Sequence, residues 1–100
     1  MKPQVYSQTG AGTTDPYVVN TNSQLVNIGI AVVVTGTVNY TVQHTYDSPS
    51  GFTTWFNDGT LASKTANGET NIAFPVSGIQ LVVNSGTGTA TMTVVQAGIA

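Results

Sequence analysis

The side chains that could do chemistry in this chain are few and far apart. His44 is the single histidine, cysteine is absent, and the four acidic residues are scattered. One imidazole without thiolates makes a poor zinc site, so we expect His44 to be a strand residue hydrogen-bonded to backbone or water. A nucleophilic triad of His44, Asp47 and a hydroxyl is conceivable only in principle, because no serine stands in a Gly-x-Ser-x-Gly turn. The sequence therefore predicts a protein that is not an enzyme and needs neither a metal nor another cofactor.

The acidic residues also argue against glycoside hydrolysis, which needs two carboxyl groups flanking one cleft. Asp15, Asp47, Asp58 and Glu69 each stand beside proline, serine or glycine, in segments typical of turns. Aspartate favours turns because its side chain bonds to nearby backbone. We interpret these carboxylates as turn residues.

Trp55 and Phe56, with Phe52 and Tyr46 nearby, form the densest aromatic cluster of the sequence. Aromatic side chains anchor protein interfaces, and beside asparagine and aspartate they can also stack on sugar rings. Neighbouring residues on a strand point to opposite faces, so we expect one of Trp55 and Phe56 in the core and the other more exposed. Trp55, Phe56 and Tyr6 are our candidate interface residues, and core filling is the alternative role for this cluster.

Only six of the 100 residues carry a formal charge, for a net charge of −2, whereas about a quarter are charged in an ordinary soluble domain. The two cations, Lys2 and Lys64, cannot neutralise a row of phosphates, so nucleic acid is not expected as a partner. The longest apolar run, around Ile30 to Val34, is too short to span a bilayer, and no apolar stretch of signal-peptide length precedes it. We expect a soluble chain, made in the cytoplasm, whose surface lies against other protein.

Strand periodicity dominates the sequence that must position these side chains. Between Ile28 and Tyr46 apolar residues alternate with threonine, asparagine and glutamine, with Gly36 in the middle. Two geometries preserve this alternation: a hairpin through Thr35-Gly36-Thr37 that pairs Val34 with Val38, or one long strand that bends at Gly36. The hairpin is favoured here because a single strand of that length is unusual.

The C-terminal part shows the same period. Ile79, Leu81 and Val83 precede the segment 85–88, and alternation resumes at Ala90, which predicts a hairpin that pairs Val83 with Ala90. Turn signals between the two regions separate short strand-like segments at 52–56, 61–64 and 70–74. The pattern predicts an all-β fold: a single antiparallel β-sandwich of jelly-roll or immunoglobulin-like type.

Residues 1–16 differ from the rest of the chain. They are rich in glycine, threonine, serine and glutamine and end at Asp15-Pro16, a composition typical of a loop or an arm. We expect an N-terminal arm over residues 1–16 and a β-sandwich domain over residues 17–100.

Several motifs recur in one known group of proteins. The stretch 36–47 (GTVNYTVQHTYD), followed by the motifs at 54–56, 64–66, 73–76 and 79–81 and by 86–96 (GTGTATMTVVQ), resembles small structural proteins of tailed-bacteriophage virions. The resemblance implies a capsid decoration or cement protein located on the virion, commonly a homotrimer, that binds the major capsid protein or another virion protein and has no catalytic residues. Gln80 stands where several of these relatives have a basic residue.

Two further hypotheses stay open beside the decoration protein. A carbohydrate- or receptor-binding module of a phage tail or fibre would expose Trp55 or Tyr40 in a shallow groove next to asparagine and aspartate. A pilin-like subunit is a third option, although the sequence offers enough strand segments to complete a sandwich without a donated strand.

Overall fold

The structure, a computed structural model, describes residues 4–19, 28–47, 51–72 and 76–96. These residues contain strands and irregular segments, and none of them forms a helix long and apolar enough to cross a bilayer. The strands are β1 (Gln4–Thr9), β2 (Gly12–Thr13), β3 (Tyr17–Val18), β4 (Ile28–Thr35), β5 (Val38–Thr45), β6 (Phe56–Asn57), β7 (Gly68–Ile72), β8 (Gly78–Gly86) and β9 (Thr89–Gln96).

The strands form two antiparallel sheets that pack face to face. Sheet A has the order β1-β9-β4-β7, and sheet B has the order β2-β8-β5-β6, with β3 also paired to β8. If β2 and β3 are taken as one interrupted strand along β8, the first strand pairs with the last, the second with the second last, and so on inward. This is the nested pairing of a jelly roll, so the all-β sandwich predicted from the sequence is confirmed.

The core lies between the sheets and is filled by the inward-facing half of each long strand. Along β4 the burial alternates residue by residue, because successive side chains on a strand point to opposite faces. The alternation predicted around Gly36 therefore assigns the inward face correctly on both sides of the glycine. The fully buried side chains are Tyr40, Ile28, Ile30, Ile72, Ile79, Leu81, Met92, Val32, Val38, Val42 and Val83.

Both predicted hairpins are wrong. β4 pairs with β7 and β9, whereas β5 pairs with β6 and β8, so Val34 and Val38 lie in different sheets. The same is true of Val83, which pairs with Tyr40 and Gly12, and Ala90, which pairs with Val34 and Gln8. In both places the chain bends from one sheet into the other, which is closer to the alternative of a long strand bent at a glycine.

Glycines make these corners possible. At Gly86, where φ is 106°, a Cβ atom would overlap the carbonyl oxygen of Thr37 in the neighbouring corner. At Gly36, where φ is 80°, an added Cβ would lie 3.2 Å from the Cα of Gly88. A third corner joins the stack where the Gly10 amide donates to the carbonyl of Gly88 at 3.0 Å. Three corners are thus packed side by side at one end of the sandwich, and at Gly36, Gly86 and Gly88 they lie too close for a side chain.

The described part of the connection from 46 to 67 is less regular than the sequence predicts. Of the expected strand at 52–56 only Phe56 is in a strand, and Lys64 forms an isolated bridge to Tyr40. The stretch still covers the edge of β5, because the Val42 amide donates to the Leu61 carbonyl at 2.8 Å. The predicted strand at 70–74 begins earlier, at Gly68, and its last two residues lie outside the described part of the chain.

The N-terminal segment, in its described residues, lies against both sheets. β1 pairs with β9 along its whole length, and β2 pairs with β8. The chain crosses from sheet A to sheet B between these two strands, at residues 10 and 11. The division between arm and domain at residue 16 stays a prediction.

Candidate functional site

Aromatic rings gather where β5 ends and β6 begins, and we call His44, Tyr46, Phe52, Trp55 and Phe56 the aromatic surface. His44 pairs with Phe56 across β5 and β6, which places both rings on one face. The two ring centroids are 6.2 Å apart and the ring planes are inclined by 26°. Tyr46 meets Phe56 edge-on, with the centroids 5.8 Å apart. Tyr46 is 57% exposed and Phe56 is 50% exposed, so the cluster offers apolar ring area to a partner.

The other part of the aromatic surface lies over the start of β8. The ring of Phe52 packs on Gly78, where an added Cβ would come within 2.8 Å of the ring, and Trp55 meets Phe52 edge-on at 5.5 Å. Gly78 thus provides the space in which Phe52 lies. Any larger residue at position 78 would displace the ring and with it the support for Trp55.

Asp47 fixes the loop that carries these rings. Its carboxylate accepts hydrogen bonds from the backbone amides of Thr53 and Thr54, both at 2.7 Å, and from the Thr53 hydroxyl at 3.1 Å. The two amide donors stabilise the charged form and hold the pKa of Asp47 below its usual range.

The prediction that Asp47 is a turn residue is confirmed, and so is that for Asp58, which accepts from the Thr60 and Leu61 amides. Glu69, by contrast, lies in strand β7, so the turn predicted for it is wrong.

His44 is buried on the inward face of β5, as its place in the alternation predicts. Burial lowers the pKa of its imidazole, and the nearby carboxylate of Asp58 opposes this shift. The neutral ring therefore dominates near neutral pH and can stack on Phe56 without a net charge. Among the described residues no group of three metal-ligating side chains comes together.

The outward face of sheet B carries a row of side-chain amides. Gln80 donates to Gln43 at 2.7 Å, and Gln43 donates to Asn57 at 2.9 Å. The chain of hydrogen bonds crosses β8, β5 and β6 without a charge. Sequence reasoning missed this row, because it depends on which strands are neighbours.

The outward face of sheet A is equally poor in charge. The hydroxyl of Ser7 bonds to that of Thr91 at 3.0 Å, and Thr9 bonds to Thr89 at 2.9 Å. Val33 stands 55% exposed on the same face. The described part of this face combines hydroxyl and small apolar groups, and its one formal charge is Glu69.

The candidate interface residues do not share one surface. Trp55 and Phe56 belong to the aromatic surface, but neither is buried in the core, so the expected split between core and exposed positions is wrong. Tyr6 lies on β1, half-buried, with its ring edge-on to Tyr17 at 6.5 Å.

Tyr40, expected to be exposed in a sugar-binding groove, is completely buried, and its hydroxyl donates to the Ala66 carbonyl at 2.7 Å. His44 and Asp47 complete the site that the sequence only partly indicated.

Comparisons with known proteins show the fold and no family. No family model matches the chain, and no curated protein matches it. A solved structure of Bacillus endospore appendages, described as a family of disulfide-linked pili, is 16% identical over 93% of this chain and 82% of its own chain, with a TM-score of 0.54. A solved structure of infectious bursal disease virus, Gx strain, is 14% identical with a TM-score of 0.33, and the match covers 97% of this chain and 33% of the viral chain. The chain therefore shares its β-sandwich fold with the appendage protein.

Proposed function

We propose that this protein is a non-enzymatic structural component of a virion: a decoration or cement protein that binds the head of a tailed bacteriophage in many copies. The observation that carries the proposal is a half-exposed aromatic surface on a molecule almost without charge. Exposed aromatic rings are the residues that most often anchor protein interfaces. A chain with six charged residues in 100 has little charge to keep copies apart, so it suits a protein covered by neighbours.

The mechanism in this proposal is burial of surface, with no chemical step. Phe56 and Tyr46 enter the contact with the major capsid protein or another virion protein, and Asp47 keeps their loop in one conformation beforehand. A preordered loop loses less entropy on binding. Homotrimers fit this role, because several weak contacts made at once raise retention through effective concentration. The arm over residues 1–16 adds a second contact segment in each copy.

Substitution of Phe56 tests this proposal. Phe56→Ala removes an exposed ring while leaving the core intact, and we expect it to weaken binding to phage heads by about 1–3 kcal/mol per copy. The measurement is the fraction of protein that pellets with filled and with empty heads at increasing dilution. Val33→Ala, which removes a similarly exposed apolar side chain from sheet A, is the matched control. Equal retention of the two variants contradicts the proposed contact surface.

A carbohydrate- or receptor-binding module of a tail or fibre is the second candidate. The observation that favours it is the position of Trp55 next to the loop fixed by Asp47, since aromatic rings beside polar groups can stack on sugars. This candidate predicts that Trp55→Ala abolishes glycan binding on an array and leaves assembly unchanged. A pilus-like role of the kind named for the appendage protein would need other links between subunits, because this chain has no cysteine for a disulfide.

A further inference from the structure

Strand β1 forms an edge of sheet A, and within its six residues it lacks the features that usually protect an edge. Among the described residues β1 pairs only with β9, so its other side is open. Edge strands commonly carry a charge, a proline or a bulge that prevents pairing with another chain. The segment QVYSQT contains neither a charge nor a proline, and its six-residue register with β9 has no shift.

The hydrogen-bond pattern shows which backbone groups face outward. The Gly10 amide donates to the Gly88 carbonyl, one residue beyond the pair Thr9 and Thr89. Hydrogen-bonded and non-hydrogen-bonded pairs alternate along an antiparallel ladder. Gln8 and Tyr6 therefore direct their amide and carbonyl groups toward β9, whereas Val5, Ser7 and Thr9 direct theirs toward the open side.

The far side of the sheet supports the same alternation. When this alternation is continued across β9 to β4, the amide of Val34 points away from β9 and toward the β7 edge. That amide indeed bonds to the side chain of Asn67 at 2.8 Å. The position is thus capped by the chain itself, while the equivalent groups on β1 are left for a partner.

We propose that β1 pairs with β1 of a second copy of this chain, antiparallel, about a two-fold axis at Ser7. In this register Ser7 faces Ser7 of the second copy and Val5 faces Thr9 of the second copy. Each of these pairs exchanges two backbone hydrogen bonds, and the two copies of sheet A become one continuous sheet. The inference goes beyond the proposed function, because it holds on any particle or appendage that carries the protein.

Charge explains why β1 is the edge that pairs with itself. A strand that pairs with its own copy brings the same charges to the joint twice, so a charged strand would place like charges within a few residues of each other. β7, at the other edge of sheet A, carries Glu69, whereas β1 has no charge. Asp15 lines the cleft beside β1, but it belongs to the loop after β2 and not to the paired strand.

The side chains of β1 also suit this pairing. Val5 is 61% exposed and becomes covered by Thr9 of the second copy. The hydroxyls of Ser7 and Thr9 are already bonded to β9, so they lose little freedom on pairing. On the opposite face Tyr6 meets Gln8 of the second copy, which completes the burial of a ring that is half-covered in a single copy.

A single introduced cysteine tests the register, because the natural chain has none. In Ser7→Cys the two thiols face each other with Cα atoms about 5.5 Å apart, within the disulfide range of roughly 4.4–6.8 Å. In Val5→Cys, the control on the same edge, the two thiols are separated by four residues of strand, ~14 Å. We expect Ser7→Cys to form a cross-linked dimer at least about tenfold faster than Val5→Cys on a non-reducing gel. Equal rates, or no dimer from Ser7→Cys, overturn the inference.

Mass in solution gives a second, independent test. The full-length protein should have a mass that is an even multiple of the chain mass by analytical ultracentrifugation, so the proposed homotrimers would be found joined in pairs as hexamers. Ser7→Lys places two like charges at the axis and should raise the dissociation constant of the pair by about tenfold or more. Val33→Lys, which adds the same charge to the outward face of the central strand β4, should leave that dissociation constant unchanged. A monomer or a trimer of the natural chain, or a mass that Ser7→Lys leaves unchanged, overturns the inference.

The two proposals can fail separately. A Ser7→Cys dimer from protein that does not bind phage heads supports the paired edge and contradicts the decoration role. A protein that is retained on heads but fails the cross-linking test supports the decoration role and contradicts the paired edge.

Discussion

At the scale of single residues, His44 connects the fold to pH. Its ring is buried and packs against Phe56 and Tyr46, and its folded-state pKa lies below the ordinary value because burial disfavours the charged form. The unfolded chain therefore binds a proton at a higher pH than the folded chain does. Protonation favours unfolding, so the stability associated with neutral His44 is present above the unfolded-state pKa.

This linkage predicts that the free energy of unfolding falls as the pH is lowered through about 6.5, the unfolded-state value. The slope cannot exceed about 1.4 kcal/mol per pH unit, the limit for one proton. His44→Phe keeps an aromatic ring against Phe56 and should flatten the profile between about pH 7 and pH 5, where no other side-chain type in this chain ordinarily titrates. Urea unfolding at a series of pH values measures both profiles. A slope that persists in His44→Phe means that another group is responsible.

At the scale of elements, the corners between the sheets are the most constrained part of the fold. Gly86 combines a positive φ with a backbone neighbour, the Thr37 carbonyl, in the space that a side chain would need. If a side chain is added at Gly86, neither the unfavourable φ nor the overlap with backbone can be relieved by moving a flexible side chain. The backbone of this corner must then shift, and the neighbouring corner shifts with it.

We therefore expect Gly86→Ala to lower the free energy of unfolding by about 2 kcal/mol or more. Gly59→Ala is the matched control, because an added Cβ there meets nothing within 4 Å. It should change stability by no more than about 0.5 kcal/mol. The midpoints of urea denaturation compare the two. A Gly86→Ala protein as stable as Gly59→Ala would contradict the close packing of the corners.

The elements also show how far the sequence predicts this structure. Alternation assigned the inward face of β4, β5, β8 and β9 correctly, because the period of a strand depends only on local geometry. It could not tell a hairpin from a corner between sheets. In both arrangements Val34 and Val38 face the core, so the same pattern of apolar residues serves two different sets of neighbours.

The aromatic surface was predictable in part for a related reason. Trp55 and Phe56 stand out by residue type alone. The contributions of Tyr46 and His44 depend on the pairing of β5 with the short strand β6, and that of Asp47 depends on how the irregular connection folds back. Neither is encoded in a repeating pattern.

At the scale of the whole molecule, the scarcity of charge should determine the response to salt. Salt screens interactions between exposed charges, and at about 1 M ionic strength the screening length is only about 3 Å. With few charges to screen, retention on the particle should change little between about 0.05 M and about 1 M NaCl. Pelleting of the particle at each salt concentration measures the retained fraction. Release over a modest rise in salt would show that ion pairs hold the protein in place.

The pairing of β1 with β9 has a consequence for how the protein is made. Gln4 is paired with Val94 and Thr9 with Thr89, so sheet A stays incomplete until β9 has left the ribosome. Contacts between such distant parts of a chain form slowly, because a long loop must close first. Before β9 has been made, folding during translation is therefore limited to fragments, and the sandwich closes only after that strand emerges.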